Sequence, residues 1–406
     1  MLGLLVAFRL LAAVPIPGVD SFALQQLFSD NDLLGFLNLF SGGGLSNLSI
    51  AMLGVGPYIT ATIIMQLLTM IFPNLKQMYY EEGAVGRAKF NRISRYLTVP
   101  LAILQGYGFL NILQAQPGIF PEPLSTLVIL QNVAIITAGT MILMWLGELI
   151  TEQKIGNGIS LIIFAGIVSG LPAILRVAIA DYDPSVLPTY LAFAVISIIV
   201  IAGVVFINEG ERKVPVSYAR RVRGNKMFGG VASYLPLKVN QAGVIPIIFA
   251  ISILLFPQFV AQLVGILSPE LATTLNGYVN SFMQNQITYG IAYFGLVVLF
   301  TYFYTAVTFD PAEISKNLQR SGGFIPGIRP GESTGQFLSK IISRTTLSGA
   351  LFLGLIAVLP IVTQAVTGIQ QLSIGGTALL IVVAVALETM RQIDSQLTVR
   401  EYEGFS

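Results

Sequence analysis

Ten long apolar runs limit this chain more than any other feature. They lie near 1–16, 53–72, 95–114, 127–149, 159–173, 187–208, 241–258, 288–309, 346–366 and 375–391. A helix needs roughly 17–25 apolar residues to cross the hydrocarbon of a bilayer, and most of these runs approach that length. A water-facing globule could not bury so many of them. Of the 406 residues, 54% are hydrophobic and 10% charged, against about 25% charged in a soluble domain. Mean hydropathy is +0.77. These runs predict an all-α polytopic membrane protein with ten spans. Pro57, Pro246 and Pro360 fall inside runs, and the fifth run is short. Broken or short spans suit helices gathered round a wet cavity, where freed backbone groups find partners.

Orientation follows from the basic residues. With alternate segments between spans assigned to one side, that side holds 20 of the 22 Lys and Arg residues. The opposite side holds Arg176, and Arg9 lies within the first run, where it is expected to snorkel toward the cytoplasmic surface. The positive-inside rule makes the basic side cytoplasmic, and an even number of spans puts both termini there. The first run carries Arg9 and continues into Val14-Pro15-Ile16-Pro17 without a small-residue cleavage site, so no cleavable signal peptide is predicted. The long cytoplasmic segments, 209–239 and 310–344, carry Arg212, Lys213, Arg220, Arg221, Arg223 and Lys226, then Lys316, Arg320, Arg329 and Lys340. Such charge serves topology and attraction to anionic lipid. It also suits a docking surface for a large partner. Arg329 stands in Gly323-Phe324-Ile325-Pro326-Gly327-Ile328-Arg329-Pro330-Gly331, whose turn formers present the charge on a shaped tip.

Several chemistries are excluded or weakened. The chain has no Cys and no His, so thiol and imidazole metal sites, Cys nucleophiles and Ser-His relays cannot form. Glu148, Glu209, Asp310 and Glu388 fall at cytoplasmic span ends, and no carboxylate lies mid-span. An aspartyl intramembrane protease and an ion-coupled solute transporter would both want a buried acid. Ser41-Gly42-Gly43-Gly44-Leu45 is glycine-rich but lacks the Lys-Ser/Thr of a phosphate loop, so no nucleotide binding is expected. Leu45 to Leu53 reads as a half-length helical stretch, too short to span. Thr60, Thr62 and Gln66 in the second run, and Gln105 in the third, are polar residues among apolar ones. Threonines there commonly bond back to their own helix. A glutamine is costlier to bury and suggests a wet or mobile interface.

Several stretches resemble the SecY family, the central subunits of bacterial protein-conducting channels. They include Pro15-Ile16-Pro17-Gly18-Val19-Asp20, Phe40-Ser41-Gly42-Gly43, Pro57-Tyr58-Ile59-Thr60-Ala61 and Trp145-Leu146-Gly147-Glu148. Further along come Ile155-Gly156-Asn157-Gly158-Ile159-Ser160, Leu235-Pro236-Leu237-Lys238-Val239-Asn240, Gly243-Val244-Ile245-Pro246, Phe303-Tyr304-Thr305-Ala306, the Pro326-to-Glu332 loop and Gly375-Gly376-Thr377. The resemblance keeps one register from end to end. Family members usually begin with an amphipathic cytoplasmic helix, whereas this chain starts inside the first span.

The resemblance implies two pseudo-symmetric five-helix halves, 1–173 and 187–406, hinged at 174–186, with cytoplasmic loops 209–240 and 310–345. It implies an hourglass pore closed by a ring of Val55, Ile59, Ile159, Ile163, Ile248 and Ile381. Below the ring a plug, about 42–54, would include Gly42, Gly43, Gly44, Leu45, Leu48 and Leu53. A lateral gate would be lined by Thr60, Gln105 and Phe256, between spans two and three of one half and seven and eight of the other. The implied partners are SecE and SecG subunits, the SecA ATPase or a translating ribosome, unfolded precursors with their signal sequences, and lipid. Arg220, Arg221, Arg223, Lys226 and Arg329 would meet SecA or the ribosome. No catalytic centre, metal or cofactor is implied.

Overall fold

The computed structural model describes residues 1–17, 41, 43–45, 47–80, 82–114, 120, 125–180, 187–218, 221–223, 226–228, 232–367 and 375–403. The apolar runs fold as helices. In chain order these are α1 (Leu2–Ala13), α2 (Gly56–Ile71), α3 (Pro73–Tyr80), α4 (Gly83–Gln114), α5 (Thr126–Glu152), α6 (Gly158–Ala180) and α7 (Leu187–Glu209). They continue with α8 (Ile245–Leu267), α9 (Pro269–Gln284), α10 (Gln286–Thr308), α11 (Pro311–Arg320), α12 (Glu332–Thr367) and α13 (Gly375–Glu403). All ten expected spans coincide with helices among the described residues.

By length and composition alone, Thr126–Glu152, Gln286–Arg320 and Glu332–Gln364 can each cross a membrane. Helices α2 and α3 meet at a 115° bend and would add a fourth span as a pair. Leu2–Ala13, Gly158–Gly170, Ala194–Glu209 and Ile245–Gln258 are shorter apolar helices.

Two of the expected breakers start helices instead. Pro57 and Pro246 occupy the first turns of α2 and α8, where the N–H that proline lacks would have no partner anyway. Pro360 lies inside α12, as the sequence predicts. Asp310 caps α11 by accepting from the N–H groups of Ala312 and Glu313, at 2.8 and 3.2 Å. Thr60 and Thr62 donate back to the carbonyls of Gly56 and Tyr58, at 3.0 and 2.9 Å.

The principal packing falls into two groups. In the first, α2, α4, α5 and α6 pack in sequence order and α1 lies against α5 and α6. In the second, α8, α10, α12, α13 and α7 pack in turn. Helix α8 meets α2 and α4, and α13 meets α6, so two seams join the groups. The turn between α5 and α6 shows how glycine sets a close approach. A Cβ on Gly158 would lie 1.8 Å from the Gly147 carbonyl oxygen. Thr151 Oγ1 closes the turn, accepting from the Gly158 N–H at 2.9 Å and donating to the Gly147 carbonyl at 2.8 Å.

The described parts of the long basic segments carry strands. Strands β1 (Glu211–Tyr218), β4 (Ala232–Lys238) and β5 (Gly323–Phe324) form an antiparallel sheet in the order β4-β1-β5. Strands β2 (Arg221–Arg223) and β3 (Lys226–Phe228) make a two-stranded ribbon between β1 and β4. Val214 pairs with Leu235, and Ser217 with Phe324. Val214 and Val216 point inward while Arg212, Lys213 and Pro215 stay exposed, the period-two alternation of a half-buried strand. A small core of Val214, Leu237, Ile325, Leu338, Ile341 and Ile342 fastens the sheet to α12.

Candidate pore, plug and side gate

The six ring positions come from four helices and meet in one apolar cluster. Val55 precedes the first turn of α2 and Ile59 lies one turn along. Ile159 and Ile163 are a turn apart on α6, Ile248 sits in the first turn of α8, and Ile381 is on α13. Val55, Ile163, Ile248 and Ile381 are buried in that cluster, and Ile59 and Ile159 pack half-buried against it. A cavity of about 100 Å³ lies beside them. Val55, Ile59, Ile163 and Ile248 form part of its wall, whereas Ile159 and Ile381 stand behind it.

Another part of the wall comes from the plug segment through Leu45, Met52 and Leu53. The half-length helix predicted there is replaced by a chain of tight turns. Backbone bonds run from Leu48 N–H to Leu45, from Met52 to Ser49, from Gly54 to Ala51 and from Gly56 to Leu53. The reason is competition from outside the segment. The Ile16 N–H donates to the Leu48 carbonyl at 2.7 Å and the Ile50 N–H to the Val14 carbonyl at 3.0 Å, making an antiparallel bridge of Pro15 with Ser49. Leu48 consequently takes a φ of 38°, the left-handed region that an L residue enters at a cost. Ser41 Oγ accepts from the Leu45 N–H at 2.9 Å, and Ser49 Oγ from the Ala51 N–H at 3.2 Å. A Cβ on Gly44 would meet Ser49 Oγ at 2.9 Å and the Ala51 carbonyl at 3.0 Å, so a side chain here would crowd the turn. Leu45 and Leu48 are buried with Ile16, Phe109, Leu113, Val133 and Ile136. Gly42 lies outside the described residues. Arg9 is exposed, and its Nη1 lies 3.9 Å from the position that a Cβ on Gly43 would take.

The third part of the wall is polar. Thr60 on α2, Gln105 on α4 and Ser252 on α8 face the cavity at the seam where α8 meets α2 and α4. Ser252 donates to the Ile248 carbonyl at 2.9 Å. Phe256, one turn further along α8, is 50% exposed and lies off the cavity wall. Ser252 is the position that sequence reasoning missed. Its signal was there, since it lies four residues after Ile248 and shares that helix face. Among the described residues, every side chain on the cavity wall is uncharged.

Arg329 is exposed at a tip shaped by Gly327 and Gly331, with φ of 82° and 99°. Thr334 Oγ1 donates to the Arg329 carbonyl at 2.9 Å, and the Ser315 hydroxyl donates to the Gly331 carbonyl. An adjoining cleft of about 910 Å³ between α11 and α12 is lined partly by Lys316, Lys340 and Arg344. Arg221, Arg223 and Lys226 occupy the β2–β3 ribbon, with Arg223 paired in register with Lys226. Arg220 is outside the described residues. Two of the span-end carboxylates are paired. Arg95 Nε reaches Glu148 at 2.6 Å, tying α4 to α5. Arg391 on α13 reaches Glu209, with Nε–Oε1 at 3.0 Å, and donates to the Asn208 carbonyl at 2.9 Å.

Comparison with known proteins places this geometry in context. The SecY family model matches residues 49–390. The protein translocase subunit SecY of Mycobacterium tuberculosis is 42% identical over 426 aligned residues, covering 100% of this chain and 95% of the relative. The protein of the same name from Thermus thermophilus is 44% identical, covering 99% and 92%. Among solved structures, one described as the structure of a protein conducting channel aligns with a TM-score of 0.65 at 21% identity, covering 96% of this chain and 90% of that one. Sec61 in the canine ribosome-channel complex from the endoplasmic reticulum aligns with a TM-score of 0.62 at 21% identity, with the same coverage. At that identity these two structures speak for the fold, which is a polytopic all-α membrane fold.

Proposed function

The chain belongs to the SecY family, and we propose from that premise that it is the central subunit of a channel conducting unfolded polypeptides across the cytoplasmic membrane and sideways into it. One observation supports the mechanism best: a single uncharged cavity touches ring, plug and side seam together. A ring of branched apolar side chains dewets a narrow passage, stopping ions yet yielding to a chain pushed through it. The plug blocks the passage from one end. Thr60 and Ser252 bond within their own helices, so the polar seam of Thr60, Gln105 and Ser252 can part with those bonds intact while water solvates the surfaces it exposes. The two halves, 1–173 and 187–406, would move about 174–186, of which 174–180 continue α6. The chain itself performs no bond chemistry in this scheme. Work would come from SecA or a translating ribosome at the cytoplasmic loops, with SecE and SecG alongside, and both termini on that side. An ion-coupled transporter would instead want an ionisable group at the cavity, and the described residues of the wall include none.

The test is reconstitution. Purified complex in proteoliposomes is expected to carry an unfolded precursor inward only when SecA and ATP are supplied, and precursor-independent solute uptake would sink the proposal. Arg329→Glu refines the test. Reversing a charge on a fixed, exposed tip should repel the partner while leaving the fold alone. SecA-driven transport is expected to fall about tenfold or more, with insertion and thermal stability unchanged. Normal transport by that variant would remove Arg329 from the docking surface.

A further inference from the structure

The face of α5 turned toward the plug carries an unusual contact. Val133 and Ile136 on this helix pack in the plug's apolar cluster, and Gly139 follows one turn later on the same face. A Cβ built on Gly139 would lie 1.9 Å from the Ile50 carbonyl oxygen, 2.7 Å from the Ile50 carbonyl carbon and 3.4 Å from the Ala51 nitrogen. All three are backbone atoms, so no side-chain rotation can relieve the clash. Either α5 or the plug segment has to shift.

Helix α5 is the better anchored of the two. Its cytoplasmic half is tied to α6 by the Gly147–Thr151–Gly158 turn and to α4 by the Arg95–Glu148 pair. The segment around Ile50 has no regular helix or strand: single turns, a two-residue bridge and the burial of Leu48 and Met52 hold it, so it can be displaced without breaking a helix. A side chain at 139 would therefore move the plug.

We infer that Gly139 is the seat of the plug: its missing side chain admits the Ile50 carbonyl, and this fit sets how much of the channel rests closed. The inference builds on the plug reading above and adds a residue outside both the plug and the ring. Glycine inside a helix costs about 1 kcal/mol relative to alanine, which a mere spacer would not need to bear.

The experiment uses the natural absence of cysteine. Leu48, 0% exposed beneath the ring, is replaced in the assembled complex by Leu48→Cys. Its labelling by a membrane-impermeant maleimide is timed from the outer face of proteoliposomes at rest. Adding Gly139→Ala is expected to speed labelling roughly tenfold or more, since overpacking against backbone shifts equilibria by that order. Gly349→Ala serves as the control. It meets the Val239 carbonyl at 2.8 Å, away from the plug, and should leave labelling unchanged. An unaltered rate with Gly139→Ala overturns the inference, whatever its effect on melting. Should Gly139→Ala fail to assemble, deleting residues 43–52 in the same chain is expected to restore assembly, because the obstructing carbonyl is then gone. Failure to restore it overturns the inference equally. The plug reading has its own readout. With Gly139 intact, Leu48→Cys should become reactive while precursor is crossing, and if it stays unreactive during transport the plug itself is wrong.

Discussion

Ile163→Ser is expected to raise the resting ion conductance of the complex in planar bilayers by an order of magnitude or so. Ile163 is 1% exposed and shares the cavity wall with Val55, Ile59 and Ile248. At about 100 Å³ the cavity already has room for water, which needs only roughly 10–15 Å³ of such space per molecule together with polar partners. The ring side of the wall, Val55, Ile59, Ile163 and Ile248, offers such water no polar side-chain partner. A serine hydroxyl supplies the missing partner and also removes bulk, so both changes favour a continuous water file. Loss of a buried isoleucine costs about 2–5 kcal/mol of packing in ordinary cores, so some loss of stability is expected as well. Ile356→Ser separates the two effects. Ile356 is equally buried, at 2%, in the same cluster but is not on the cavity wall. It should cost stability without conducting. If Ile163→Ser is destabilised yet electrically silent, the residue packs and does not seal.

A cysteine pair across the side seam, Thr60→Cys with Ser252→Cys, is expected to stop precursor transport completely once oxidised. Both positions face the same cavity, and α8 packs on α2 there, so their Cα atoms should approach the roughly 4.4–6.8 Å that a disulfide tolerates. Neither single variant can crosslink within the chain, since no other cysteine exists. Reduction should restore transport in the same preparation. A comparison pair, Gly290→Cys with Val358→Cys, joins α10 to α12 within one packing group, where the Cβ position of Gly290 lies 3.6 Å from Val358 Cγ1. That crosslink should leave transport intact. Quantitative closure of the Thr60–Ser252 pair with undiminished transport would mean that polypeptides enter without parting this seam.

Much of the architecture was legible in the residues, because hydropathy reports what must avoid water. All ten apolar runs became helices. Their ends were less legible. Helix α4 begins at Gly83 and α12 at Glu332, roughly twelve to fourteen residues before the apolar stretches at 95 and 346, because a helix that continues into water keeps its hydrogen bonds while losing its hydrophobic signal. The sheet in the basic segments announced itself only weakly, through Val214 and Val216 alternating with Lys213 and Pro215. The plug's turns were hidden for a different reason. Leu45 to Leu53 has ordinary helical composition, and what overrides it is a bridge to Pro15 some thirty residues earlier. Long-range pairing of that kind leaves no local trace. Phe256, the position expected on α8, lies one turn beyond the cavity wall, and Ser252 is the α8 hydroxyl on that wall. Gly139 was invisible as well, for a glycine in an apolar run looks like any small spacer until the backbone opposite it is known.

The β4-β1-β5 sheet also has a history in time. Strands β1 and β4 can pair as soon as both have left the ribosome, but Gly323 of β5 follows Lys238 by 85 residues. At about 5–20 residues per second, the nascent hairpin waits roughly 4–17 s for its third strand. Throughout that interval one edge of β1 is open, and an open edge is a template for the wrong neighbour. When β5 arrives it covers only Ser217 and Tyr218. The rest of the strand is defended by composition: Arg212 and Lys213 carry exposed like charges, and Pro215 has no N–H to offer. The residues that make β1 a poor strand by propensity make it a safe one to synthesise early.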